Sequence, residues 1–144
     1  MIDKVELSRL IPHAGAMCLL ERVSAWDAQS IRCVARSHRD PANPLATDGR
    51  LGAACGVEYA AQAMAVHGGL SGAVGQRPKA GYLMSLRGLT LHRPFLDDLE
   101  DELVVEAERL AGEGAQVSYR FNLTCAGKPV LEGRAAVLLE VAAL

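Results

Sequence analysis

The sequence lacks a long hydrophobic run, and it lacks a strong excess of charge of either sign. No segment reaches the roughly 18 uninterrupted apolar residues that a membrane-spanning helix needs. The formal net charge of the 144 residues is −2 at pH 7, which argues against nucleic acid as the main partner. Residues 1–13 contain early acids and no apolar core. We therefore expect no signal peptide and a cytoplasmic protein.

Cysteine and histidine are few and scattered, which argues against disulfides and metal sites. The cysteines show no paired spacing and are expected to be free thiols in a reducing compartment. The histidines form neither an HxxxH nor an HExxH motif. We accordingly expect no metal and no other cofactor. The residues concerned are Cys18, Cys33, Cys55 and Cys125, and His13, His38, His67 and His92.

Internal repeats, low-complexity tracts and linkers are also missing, so residues 1–144 are predicted to form a single domain. Half of the residues are hydrophobic, which is enough for a substantial core. The length is close to the commonest size of a single domain.

The first half of the chain predicts two strands followed by one helix. Residues 4–10 suit a short helical turn, and 17–26 and 29–37 read as strands joined by a hairpin at Asp27-Ala28. A polar loop with proline and glycine covers 39–50. The helix is predicted over 54–67, with Gly68-Gly69 as its C-terminal cap.

The second half predicts strands over 79–92, 102–110, 115–125 and 130–141, with a bend at Gly88. Residues 115–125 alternate between apolar and polar side chains, which is typical of a strand with one buried face. Turn residues lie at 112–114 and 126–128. Together these elements predict an α+β fold, a curved antiparallel sheet of five to seven strands wrapped round one long buried helix.

The predicted helix, ACGVEYAAQAMAVH, is apolar all round except for Glu58 and, one turn later, Gln62. A helix of this kind is buried, and burial raises the pKa of a carboxyl group towards neutrality. Such an acid can exchange protons at pH 7. The alternatives are that Glu58 reaches the surface or pairs with an arginine, and that Gln62 orients this carboxylate or satisfies a buried carbonyl.

Three segments, in this order, resemble motifs of the beta-hydroxyacyl-acyl-carrier-protein dehydratases, which have the hotdog fold. Residues 11–23 (IPHAGAMCLLERV) are similar to their PHR-P-hydrophobic-DRV opening. Residues 56–63 (GVEYAAQA) are similar to the helix motif VEAMAQA, and 91–98 (LHRPFLDD) to the bend F-RPV-PGD. The resemblance covers nearly the whole chain, and the chain looks closer to a divergent branch found in aryl-polyene or polyketide-like gene clusters.

The resemblance implies a dimer with its sheets joined edge to edge, and active-site tunnels where a histidine of one subunit faces a glutamate of the other. The glutamate corresponds to Glu58 and the helix glutamine to Gln62. The family histidine of the GHFP segment has no match, because the region reads ANPL here and Asn43 is its nearest counterpart. Asn43 can hold a thioester oxygen or a water through a donated hydrogen bond, or it can simply form a turn before Pro44.

Other candidates for the site surround these residues. The N–H groups at Gly52, Ala53 and Ala54 mark a helix N-terminus suited to a thioester carbonyl. His38 is a possible replacement base, although a surface position is expected for it, and His13 is expected to anchor the N-terminal segment. His67 reads as structural. A set of four basic residues can steer an acidic carrier protein towards the site, or its members can be ordinary solvated charges. The set comprises Arg77, Lys79, Arg87 and Arg93.

The function favoured by these observations is that of a 3-hydroxyacyl-acyl-carrier-protein dehydratase in fatty acid, polyketide or aryl-polyene-type synthesis. The expected substrate is a carrier-protein or coenzyme A thioester. The expected assembly is a homodimer, a heterodimer with another hotdog chain, or a higher oligomer. Two alternatives remain open, namely an acyl thioesterase and a non-catalytic acyl-binding partner subunit of a hotdog heterodimer.

Overall fold

A computed structural model describes residues 1–11, 15–71, 78–113 and 116–141. Within these ranges one antiparallel sheet of six strands wraps round one long helix. The helices are α1 (Lys4–Ser8) and α2 (Gly56–Ser71), and the strands are β1 (Leu20–Trp26), β2 (Ser30–Ala35), β3 (Pro78–Leu91), β4 (Leu103–Glu113), β5 (Gln116–Cys125) and β6 (Lys128–Val141). This architecture is the one predicted from the sequence.

The strand order across the sheet is β1-β2-β4-β5-β6-β3. In the chain, the helix α2 separates β2 from β3. The strand β3 pairs with β6, at the edge of the sheet far from β1. The outer edge of β1 is met by Ile2, which exchanges backbone hydrogen bonds of 3.0 and 2.8 Å with Val23. Among the described strands β3 pairs with β6 alone, and its other edge is open in the single chain.

The helix α2 is buried along most of its length, as its apolar sequence predicts. Tyr59, Ala60 and the run 62–67 are at most 7% exposed. Gly56 at its start lies so close to the sheet that a Cβ atom there would clash with the side chain of Leu131. The helix therefore packs directly on the inner face of β6.

The predicted end of this helix is wrong. Helix α2 continues through Gly68 and Gly69 to Ser71, and the Ser71 hydroxyl donates to the His67 carbonyl at 2.6 Å. Tertiary packing stabilises this helix more than local propensity does, so two glycines do not end it.

The strands follow the predicted alternation with small shifts at their ends. In β5 Val117, Tyr119 and Phe121 are buried, while Gln116 and Arg120 are exposed. The predicted start of the first strand is wrong, because residues 15–17 form a 3-10 turn (Gly15–Met17) before β1.

Two predicted turns have different outcomes. Ala126 and Gly127 have φ of 51° and 77°, which is the left-handed geometry of a two-residue hairpin turn. By contrast, Gly112 and Glu113 belong to β4, and Gly114 lies outside the described residues. The bend predicted at Gly88 is present, since φ is 60° there and the β3–β6 register shifts between Arg87 and Thr90.

The N-terminal helical turn is present as α1. The Asp3 side chain caps it by accepting a 2.9 Å hydrogen bond from the Glu6 N–H. None of the helices in the described part of the chain is long and apolar enough to cross a membrane.

Candidate functional site

Glu58 lies in the first turn of α2, where the positive end of the helix dipole favours a carboxylate. The side chain is half-buried in the single chain. A 3-10 turn (Ala53–Cys55) leads directly into α2. Glu58 therefore lies close to the end of the loop that precedes this helix. Glu58 is the acidic residue that was predicted for the site from the sequence.

Gln62, one turn further along α2, is 1% exposed and holds the chain that enters β1. Its Oε1 accepts a 2.9 Å hydrogen bond from the Leu19 N–H, and its Nε2 donates to the Met17 carbonyl at 2.7 Å. Gln62 therefore satisfies buried backbone groups, and it fixes residues 17–19 within the opening motif of residues 11–23. His13 of that motif lies outside the described residues.

Asn43 is buried, and all the hydrogen bonds of its side chain stay within the loop and helix. Its Nδ2 donates to the Ser37 carbonyl at 2.9 Å and to the Tyr59 hydroxyl at 3.1 Å. Its Oδ1 accepts from the Leu45 N–H at 2.9 Å, which is the contact of an Asx turn. Asn43 therefore shapes the loop before α2 and ties it to the residue next to Glu58.

Tyr59 extends this contact into a chain of hydrogen bonds that sequence reasoning missed. The Ser37 hydroxyl lies 2.8 Å from the Leu19 carbonyl, to which it donates, and 2.8 Å from the Tyr59 hydroxyl. Since the single hydroxyl hydrogen of Ser37 goes to the Leu19 carbonyl, the Tyr59 hydroxyl donates to Ser37. Burial raises the pKa of Tyr59, so this phenol stays protonated. The signal in the sequence was a hydroxyl inside an otherwise apolar helix.

His38 is 1% exposed, so the expected surface position is wrong. It lies in a short 3-10 turn (Ser37–Arg39) that packs against residues 99–101, and its Nε2 donates to the Leu99 carbonyl at 3.1 Å. Burial lowers the pKa of His38, against the opposing effect of the Leu99 and Asp101 carbonyls. The imidazole is therefore neutral at pH 7.

The start of α2 offers some of the predicted N–H groups but not all of them. The Ala53 N–H donates to the Pro94 carbonyl at 2.9 Å, which ties this turn to the bend after β3. The N–H groups of Gly52 and Ala54 make no backbone hydrogen bond with another described residue. These two remain suited to an oxygen that carries developing negative charge.

The predicted basic set is not one cluster. Arg93 donates to the Phe95 carbonyl at 2.8 Å and to Asp98 at 2.6 Å, so it stabilises the bend after β3. Arg87 is exposed on β3. Arg77 and the side chain of Lys79 lie outside the described residues.

His67, at the far end of α2, is structural, as the sequence suggested. Its Nε2 donates to the Asp27 carbonyl at 2.9 Å, and its Nδ1 lies 2.7 Å from the Tyr119 hydroxyl. The described residues contain no group of three or more His, Cys, Asp or Glu side chains placed to hold a metal ion.

Comparison with known families gives one extensive match. A family model described as ApeP-like, ApeP dehydratase, matches residues 5–142. No curated protein matches the chain.

Solved structures similar to the chain share its fold. The dehydratase heterocomplex ApeI:P from Xenorhabdus doucetiae superposes with a TM-score of 0.81 at 24% sequence identity, over 92% of this chain and 90% of that one. A mutant thioesterase from Pseudomonas aeruginosa gives a TM-score of 0.62 at 16% identity, over 84% and 81%. A hypothetical thioesterase with coenzyme A from Streptococcus pneumoniae gives 0.58 at 12%, over 82% and 84%. The hotdog fold predicted from the sequence is confirmed.

Proposed function

The chain belongs to the ApeP-like dehydratase family, and from this premise we propose that it removes water from a 3-hydroxyacyl thioester, with Glu58 as the acid. The proposed setting is fatty acid, polyketide or aryl-polyene-type synthesis, with the acyl group on a carrier protein or on coenzyme A. The observation that supports this proposal best is a half-buried carboxylate in the first turn of the central helix, at the position of the family glutamate.

Within the substrate, the proposed reaction breaks the C2–H and C3–O bonds and forms one π bond. A base removes the proton from C2, the bond between C3 and its hydroxyl breaks, and the double bond between C2 and C3 forms. Glu58 gives its proton to the departing hydroxyl, which leaves as water. The acid and the base are then reset by proton exchange.

Negative charge develops on the thioester oxygen while the C2 proton leaves. We place this oxygen near the N–H groups of Gly52 and Ala54, which have no backbone partner among the described residues. The Ala53 N–H supports the site indirectly, through its bond to Pro94. Gln62 holds the chain beside the helix face that carries Glu58, and we assign it a place in the wall of the acyl site.

Asn43 enters this proposal as a positioning residue. Its amide holds Ser37 and Tyr59 together, and it cannot exchange a proton at neutral pH. His13, in the opening motif of residues 11–23, retains the anchoring role proposed from the sequence.

The proposed assembly is a dimer with a second hotdog chain, formed along the open edge of β3. Four large apolar side chains on this strand are exposed in the single chain, and an open, apolar edge strand favours pairing with another strand. They are Leu83, Met84, Leu86 and Leu91. The similar structure from X. doucetiae is a heterocomplex, so we propose a related hotdog chain as the first partner to test. Free thiols support a cytoplasmic location.

Turnover of a 3-hydroxyacyl thioester tests the function. The protein is assayed alone and with a related hotdog chain, and formation of the 2-enoyl product is followed by mass spectrometry. Loss of the general acid in Glu58→Gln is expected to reduce turnover by about 10²–10⁴-fold. Equal rates for wild type and variant would contradict the proposal. Release of a free thiol without enoyl product would indicate the thioesterase alternative instead.

A further inference from the structure

Residues 50–53, which precede the helix α2, are paired with residues 94–97 of the bend after β3. Two backbone hydrogen bonds of 2.8 and 2.9 Å join the two segments, one on each side of an antiparallel bridge between Gly52 and Phe95. In an antiparallel ladder successive residues direct their peptide groups alternately towards the partner and away from it. Because the bonds belong to the neighbours of Gly52, the Gly52 N–H points away from the bend, and it makes no hydrogen bond with the described residues.

The side chain of Asp97 attaches the same two segments a second time. Its Oδ1 accepts a 2.8 Å hydrogen bond from the Leu51 N–H, and its Oδ2 accepts from Nε of Arg50 at 2.9 Å. The Leu51 N–H and the Arg50 guanidinium lower the pKa of Asp97, so the carboxylate is charged at pH 7. Hydrogen bonds to a charged acceptor are the stronger ones. Both oxygens of Asp97 are thus occupied by the two residues that directly precede Gly52.

The far side of Gly52 is fixed by the turn that follows it. Its carbonyl accepts a 3.0 Å hydrogen bond from the Cys55 N–H, in the 3-10 turn (Ala53–Cys55) that leads into α2. The Gly52 N–H is therefore held between this turn and the two residues bound by Asp97. A donor of this kind stabilises developing charge best when its direction is fixed before the reaction.

We propose that Asp97 is a positioning residue of the dehydration, which holds Arg50 and Leu51 on the bend and thereby directs the Gly52 N–H at the thioester oxygen. This inference rests on the proposed function and concerns how one of its two oxygen donors is kept in place. In this role Asp97 contacts neither the substrate nor the reacting atoms, and no proton passes through it. Its contribution is to keep the donor from turning away while charge builds on the oxygen.

The first experiment compares Asp97→Ala with wild type in the assembly that turns over. Misdirection of the donor is expected to lower kcat by about 10- to 100-fold, with KM within about threefold of wild type, because the rest of the acyl site binds the ground state. Asp97→Asn keeps an acceptor for the Leu51 N–H, so its kcat should lie between the two.

Asp98→Ala is the matched control. Asp98 is the next carboxylate in the chain, and its partner Arg93 lies within the bend, so this ion pair does not reach residues 50–53. The kcat of Asp98→Ala should stay within about threefold of wild type.

A double-mutant cycle distinguishes positioning from a general loss of stability. Gly52→Pro deletes the N–H itself, and proline fits the backbone there, since φ of Gly52 is −65° and a Cβ atom would meet nothing within 4 Å. Loss of this donor is expected to lower kcat by about 10²–10³-fold. If Asp97 acts through the Gly52 N–H, Asp97→Ala added to Gly52→Pro should lower kcat by less than about threefold further.

An Asp97→Ala effect of the same factor in both backgrounds overturns the assignment. A kcat of Asp97→Ala equal to that of wild type, where Glu58→Gln is inactive, also overturns it, and both outcomes leave the proposed function intact. Melting temperatures are measured for each variant, and where Asp97→Ala does not fold, Asp97→Asn with its smaller loss of kcat takes its place in the cycle. A wild type that turns over no 3-hydroxyacyl thioester, alone or with a related hotdog chain, overturns the proposed function and this inference together.

Discussion

The Tyr119 hydroxyl lies 2.7 Å from Nδ1 of His67 and joins the central helix to the middle of the sheet. Nε2 of His67 donates to the Asp27 carbonyl, so Nδ1 accepts and the phenol donates. Burial raises the pKa of Tyr119 to about 12, which keeps this donor in place throughout the physiological range. Three segments distant in sequence are thereby fixed to one another.

Removing the Tyr119 hydroxyl should destabilise the fold, because it leaves Nδ1 of His67 buried without a donor. Tyr119→Phe is expected to lower the free energy of unfolding by about 1–3 kcal/mol. Urea denaturation measures this change. Ser24→Ala removes an exposed hydroxyl and is expected to change stability by less than about 0.5 kcal/mol. Equal stabilities for the two variants would contradict the role assigned to the bond.

Acid should destabilise the protein through its buried histidines. Burial lowers the pKa of both His38 and His67 below the ordinary value of 6.5. Above that value both states are neutral. Below it the unfolded chain binds protons that the folded chain does not, so the free energy of unfolding falls as the pH falls.

The slope expected from each histidine is at most about 1.4 kcal/mol per pH unit. Urea denaturation at several values between about pH 7.5 and pH 5.5 measures it. His67→Gln should make the dependence shallower than that of wild type. A His67→Gln slope as steep as that of wild type would show that this histidine does not resist protonation.

Gly56→Ala tests the close contact between α2 and β6. The added methyl group would clash with the Leu131 side chain, and overpacking of this kind costs about 1–3 kcal/mol. Gly52 is the matched control, because a Cβ atom there would meet nothing within 4 Å. Thermal unfolding of Gly56→Ala and Gly52→Ala gives the comparison, and equal melting temperatures would refute close packing at Gly56.

Alternation in strands such as β5 was enough to predict the sheet, and the continuous apolar run of α2 was enough to predict a buried helix. The end of α2 was mispredicted, since packing of its preceding turns overrides the helix-breaking tendency of Gly68 and Gly69. The local sequence pattern alone does not reveal such tertiary contacts.

The candidate site was predictable only in part. Glu58 and Gln62 could be found because polar residues in an apolar helix stand out. The burial of His38 depends on Leu99, 61 residues later in the chain, and the Tyr59 contact with Ser37 joins residues 22 apart. Side chains placed by distant segments leave no periodic signal near themselves.

A charge placed on β3 should disrupt the proposed dimer without unfolding the chain. Met84 is 54% exposed in the single chain, so Met84→Lys removes no core packing. Burying the added ammonium in an interface carries a large desolvation penalty, and light scattering after gel filtration should show a shift from dimer to monomer. Leu110→Lys is the control, because Leu110 is 42% exposed on β4, away from the open edge. If both variants remain dimers while the melting temperature of each is unchanged, the interface does not include the middle of β3. If Leu110→Lys alone dissociates, the subunits associate through the region of β4 instead.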